Sequence, residues 1–161
     1  VKRLVTIGVY DWDLAAFLAA LRTAEVRVLL DVRQRRGVRG PQYAWANSQR
    51  LQAALRDAGI AYAHHKELAP TTELRHLQYA EDARLGVGKR SRVELASGYV
   101  EGYTREILDR ADLEPVYESL PSSGAGALMC VERDPEACHR SLVAQRLCER
   151  YEIQVRHLRP E

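Results

Sequence analysis

Sulfur, lysine and long apolar runs are what this chain has least of. Methionine and phenylalanine each occur once, tryptophan twice, and lysine is confined to Lys2, Lys66 and Lys89 among 24 basic residues. No run of ~18 apolar residues is present, which argues against a membrane span, and the N-terminus lacks the charged-then-apolar pattern of an export signal. Cys130, Cys138 and Cys148 are odd in number and widely spaced, so they do not form a disulfide framework. Free thiols in a cytoplasmic protein are the expectation. Charge of one sign is also missing: 24 basic against 22 acidic residues leave a net +2, too little to imply nucleic acid by itself. What remains is 161 residues, 46% hydrophobic and 29% charged. That reads as a single domain over 1–161, long enough to bury roughly 70% of its unfolded surface.

The scarcity of lysine makes arginine the basic residue of this protein. Arginine offers a rigid fork of donors that fits phosphate and carboxylate, although heavy arginine use also follows from genome composition. Arg33, Arg35, Arg36, Arg39, Arg50 and Arg56 fall between Asp31 and Asp57 with no acid among them. A second acid-free stretch holds Arg84, Lys89, Arg90 and Arg92. Such runs are ordinarily solvated surface. The first directly follows a predicted strand, which favours an anion site there.

Hydrophobic periodicity predicts short apolar strands at 4–7, 26–32, 60–64, 127–131 and 153–158. Helical spacing places Leu14, Phe17, Leu18 and Leu21 on one face of a helix capped by Asp11 or Asp13. Further helices are predicted at 48–58 with Ser48 as N-cap and Gly59 as stop, and at 72–84, 93–110 and 113–120. The last helix starts at Asp134 or Cys138 and runs to Tyr151. Strands alternating with helices predict a three-layer α/β/α domain with a mostly parallel, about five-stranded Rossmann-like sheet. Ligands of such sheets bind beyond the carboxyl ends of the strands. Those ends carry Gly8-Val9-Tyr10, Asp31 and Arg33, His64 and His65, and Glu132 through Arg140.

Thr6-Ile7-Gly8, Asp31-Val32-Arg33 and Leu128-Met129-Cys130-Val131-Glu132, with Asp134-Pro135 and Cys138-His139-Arg140-Ser141, together resemble the family catalogued as domain of unknown function 488. The likeness spans almost the whole chain. Many relatives continue Thr-Ile-Gly with His-Ser where this chain has Val9-Tyr10, and many have Leu-Gly-Gly where it has Leu68-Ala69-Pro70. The resemblance implies a compact α/β domain, and the departure at Val9-Tyr10 removes any role for a histidine in the first loop.

Read from the residues, Cys138-His139-Arg140-Ser141 opens a helix after a strand, where free N–H groups and the helix dipole favour anions and a thiolate. Arg140 and Ser141 join Arg33, Arg35 and Arg36 as candidate anion ligands. The alternative is that Arg140 pairs with Glu132 or Asp31 in a buried network. Cys138 is a candidate nucleophile with Glu132 for proton transfer. Adjacent helical residues point about 100° apart, so the base is expected from His65 or His64 across the crevice rather than from His139. His64, His65, Glu132, Cys138 and His139 are all metal-ligand types, yet no pair has an established spacing and no metal is expected; Cys130 and Cys148 read as core. Tyr43 and Trp45 are candidates for stacking on a base, with packing of the loops as the alternative. The expectation is a domain that binds a phosphate-bearing ligand, a nucleotide or nucleic acid; the cofactor is unknown, and the sequence requires none. The rivals are a non-catalytic nucleic-acid-binding module and a thiol or metal enzyme centred on Cys138. Self-association stays open, and no membrane partner is expected.

Overall fold

The computed structural model describes residues 1–161. Strand β1 (Lys2–Ile7) leads to helix α1 (Leu14–Thr23), and β2 (Val26–Asp31) leads through a 3-10 turn at Pro41–Ala46 to α2 (Ser48–Asp57) and β3 (Ala61–His64). The long third connection holds α3 (Thr72–Leu85), α4 (Ser97–Tyr103), which runs on as a π-helical turn over Thr104–Leu108, and α5 (Glu114–Ser119). Strand β4 (Ala125–Met129), α6 (His139–Arg150) and β5 (Ile153–His157) complete the chain. All pairings are parallel, in the order β3-β2-β4-β1-β5. Right-handed crossovers place α1 and α2 on one face and α3 to α6 on the other. The expected three-layer α/β fold is thus the observed one. No helix is long and apolar enough to cross a membrane.

The central strand explains where the loops go. β4 enters between β1 and β2, every one of its residues is buried, and the loops after β1, β2 and β4 therefore emerge side by side. The backbone continues in register past β4: Val131 O accepts from Val9 N (2.9 Å) and Tyr10 N (3.0 Å), and Met129 O accepts from Val32 N (3.1 Å). Gly8 sits at this crossing because a Cβ there would lie 1.9 Å from the Glu132 carbonyl oxygen.

Local signals act as their chemistry requires in two helices. Asp13 accepts from Ala16 N at 2.8 Å and caps α1; Thr71 accepts from Leu74 N at 3.2 Å and caps α3, which stops at Gly86 in the left-handed region, φ 73°. Elsewhere tertiary partners override them. Asn47, not Ser48, precedes α2, and its Oδ1 accepts from Val38 N instead of capping the helix. The helix predicted from residue 93 begins only at Ser97, because Leu95 N donates to Glu136 O (3.1 Å) and Ala96 N to Gln78 Oε1 (2.9 Å). Ala96 itself is extended, φ −64° and ψ 143°, and so marks the start of the helix. Gly102 then lets α4 lie against α3, where a Cβ would meet Leu74 Cδ2 at 2.6 Å.

Candidate functional site

A cavity of about 670 Å³ opens at the carboxyl ends of β2 and β4 and is roofed by α3 and the loop before α4. Its lining includes Arg33, Arg35, Arg39, Arg75, Lys89, Arg90 and Arg92 against one carboxylate, Glu132. Arg35, Arg39 and Arg90 are exposed at the rim, and Arg75 is held by Gln34 Oε1 (2.6 Å) and the Tyr79 hydroxyl (3.0 Å). Arg90 lies over the rings of Tyr10 and Tyr43, 5.3 and 5.2 Å from their centroids. The two acid-free stretches of the sequence thus meet, 51 residues apart in chain position at Arg39 and Arg90: Arg90 Nη2 donates to Arg39 O at 3.0 Å.

Of the five expected anion ligands only Arg35 is exposed at this rim, and two of the others are sealed inside. Arg33 is 1% exposed and spends its fork on Asp31 (Nε to Oδ1 3.0 Å, Nη2 to Oδ2 2.9 Å) and its remaining nitrogen on Ala46 O (2.9 Å). Tyr62 completes the cluster by donating to Asp31 Oδ2 at 2.6 Å. Arg140 is fully buried and donates to Thr6 Oγ1 (3.2 Å), Glu132 O (2.6 Å) and Arg133 O (3.1 Å). The alternative of a buried network that ties the loop is the one observed, with the partners corrected: Arg140 pairs with no carboxylate, does not line the cavity, and ties the β4–α6 loop to β1 through neutral acceptors. Buried guanidiniums are retained where every donor finds a partner. Arg92, in the second stretch, is likewise internal. It grips Asp82 with Nε and Nη2 (3.0 and 2.7 Å) and reaches Glu132 Oε1 with Nη1 (3.2 Å). Burial pushes the Asp82 carboxyl up, but the hydrogen bonds and charge of Arg92 and the amide of Gln78 outweigh it and hold it below the usual range.

The floor of the cavity is made of Cys130, Cys138, His139 and Glu132. His139 Nδ1 is 3.7 Å from Cys130 Sγ and 4.0 Å from Cys138 Sγ, while Nε2 donates to Val32 O at 2.8 Å. The imidazole beside Cys138 is therefore its own neighbour, contrary to the expectation built on helical geometry. Cys138 is not helical: at φ −138° and ψ 143° it is the extended residue preceding α6, so the 100° offset does not apply. Burial opposes ionisation of Cys138, yet contact with Cys130, the Arg140 charge and His139 hold its thiol well below the ordinary value. Burial and the neighbouring Cys138 push Cys130 well above it. Burial, then Cys138, raises the Glu132 carboxyl against Lys89 and Arg92. Glu132 Oε2 is buried without a hydrogen-bond partner.

The other sequence candidates lie elsewhere. His65 binds Glu67 (Nδ1 to Oε1 2.7 Å) and His64 Nε2 meets Arg33 O (2.9 Å); neither lines the cavity, so neither is the base for Cys138. Arg36 Nη1 reaches the Tyr62 hydroxyl at 3.4 Å, and the Ser141 hydroxyl donates to Cys138 O at 2.9 Å. Trp45 packs on Phe17, 4.8 Å between ring centroids, and Tyr43 on Tyr10 at 5.3 Å while its hydroxyl accepts from Asp11 N. The aromatic walls of the cavity are instead Tyr10, Tyr79 and Tyr99. Cys130 belongs to the core, as the sequence suggests, but it also lines the cavity, which sequence reasoning missed; it is the first residue past β4, and that position at a strand's carboxyl end was the available signal.

The family model described as domain of unknown function DUF488 matches residues 13–147, most of the chain. This chain belongs to that family. The matched region of this DUF488 member includes all the residues that line the cavity except Tyr10. No curated protein and no solved structure matches the chain.

Proposed function

We propose that this DUF488 protein binds a phosphate-bearing small molecule of nucleotide size in the cavity and acts on it as an enzyme at the Cys138–His139–Glu132 floor. The observation that carries the reading is the polarity of the cavity: exposed arginines at its rim, and a thiol, an imidazole and a carboxylate at its base. A rim of guanidiniums holds phosphate oxygens and orients the rest of the ligand downward. Tyr10, Tyr79 and Tyr99 supply apolar faces for a ring. The volume lies within the range of small-molecule sites. Arg35, Arg39 and Arg90 take the anion-holding role, and Arg33 and Arg140 support the loops beneath.

The test is equilibrium binding of nucleoside mono- and diphosphates against the parent nucleosides at two salt concentrations. Nucleotides should bind with the affinity falling as salt rises, nucleosides should not, and Arg35→Ala with Arg90→Ala should weaken binding by about 1–2 kcal/mol per lost contact. Equal affinity for nucleotide and nucleoside sinks the phosphate reading. A second reading, a nucleic-acid-binding module, draws on the same exposed rim: oligonucleotides binding much more tightly than mononucleotides, with a salt slope steeper by about 0.7 per added phosphate contact, would favour it.

A further inference from the structure

We propose that Cys130, Cys138 and His139 form a binding site for one zinc ion on the floor of the cavity. The three donor atoms, two Sγ and Nδ1, lie within 4.8 Å of one another, and all three residues line the cavity. Tetrahedral zinc with bonds of about 2.3 Å to sulfur and about 2.0 Å to nitrogen separates a sulfur from a nitrogen by about 3.6 Å. The observed separations from Nδ1 are 3.7 and 4.0 Å, within a few tenths of an ångström of that value.

The tautomer supplies a second, independent argument. Val32 O can only accept, so Nε2, at 2.8 Å, carries the ring's hydrogen and Nδ1 is the nitrogen turned to the two sulfurs. Ligating histidines are oriented in this way, with the far nitrogen donating to a backbone carbonyl. Backbone beyond the side chains is also in place, since Cys130 N donates to Ile7 O (3.2 Å) and Cys138 N to Pro135 O (3.2 Å). Two thiolates with one imidazole select zinc over harder cations, and binding would displace the protons held between the sulfurs and Nδ1. Three protein ligands leave the fourth position for water or ligand from the cavity, which Glu132, with its Oε2 buried and unpartnered, also lines. This site does not depend on what the arginine rim binds, and its test needs no phosphate ligand.

The experiment uses the reduced full chain. Metal content after purification with zinc present should be about one equivalent. Cobalt titration should give thiolate-to-metal charge-transfer absorption with the intense d–d bands of a tetrahedral site. Cys130→Ser and Cys138→Ser should each weaken metal binding at least about a hundredfold, whereas Cys148→Ser, an exposed cysteine outside the cluster, should change nothing. Because either buried substitution can disturb folding, the wild-type chain supplies a second readout: zinc should protect Cys130 and Cys138, but not Cys148, from alkylation. Failure to take up zinc or cobalt, uptake that survives the Cys130→Ser/Cys138→Ser double change, or a Cys130–Cys138 disulfide that forms in preference to the metal site overturns the proposal.

Discussion

Arg140 is a buried cation whose three hydrogen-bond partners are all uncharged oxygens. Its worth lies in geometry, because Thr6, Glu132 and Arg133 present acceptors in directions that only a planar fork can serve together. Arg140→Lys should therefore leave buried carbonyls unpaired and lower stability by about 2–3 kcal/mol, read as a lower midpoint in thermal or urea unfolding. Nucleotide affinity measured well below that midpoint should be unchanged. A large loss of affinity with intact stability would return Arg140 to the anion site. Arg33 follows the same logic, with the difference that a carboxylate, Asp31, neutralises it.

Helix α3 shows how an element can be polar on its buried side. Its inward residues Leu74, Gln78 and Asp82 recur every four positions, and two of the three are polar because this stripe meets Arg92 and Ala96 rather than an apolar core. The Asp82–Arg92 pair is the joint between α3 and the cavity floor, and Arg92 carries it on to Glu132. A depressed carboxyl stabilises the fold above its unfolded value of about 3.9, and that contribution is lost as pH falls through the lower folded value. Breaking a buried pair costs about 3 kcal/mol, so Asp82→Asn should be less stable than the parent by that amount at neutral pH. The gap should narrow below about pH 4, as the parent's own carboxylate is protonated. A gap independent of pH down to acid unfolding would show that the ion pair is not what Asp82 contributes.

At the scale of the molecule, one core of 35 buried residues spans both faces of the sheet, with β2, β4 and β1 inside it and β3 and β5 at the edges. Amide exchange should be slowest over 125–129 and the facing parts of β1 and β2, and faster in β3, whose residues are exposed or half-buried. Uniform protection across all five strands would contradict that gradient. The strands, their alternation with helices and the gathering of reactive residues at one sheet edge were legible in the sequence, because apolar period and strand-end position are local properties. Family membership was legible for the same reason, in short motifs that need no folding to be seen. Which arginine faces solvent was not. Arg33, Arg35 and Arg36 are near neighbours in sequence, yet one is sealed by Asp31 and Ala46, one lines the rim and one leans on Tyr62. Their chemistry is identical, and only partners brought from distant elements separate them. The pairing of Cys130 with Cys138 and His139 was decided in the same way: an extended residue ahead of α6 turned the sulfur back to the end of β4, a contact made by tertiary packing and not by spacing.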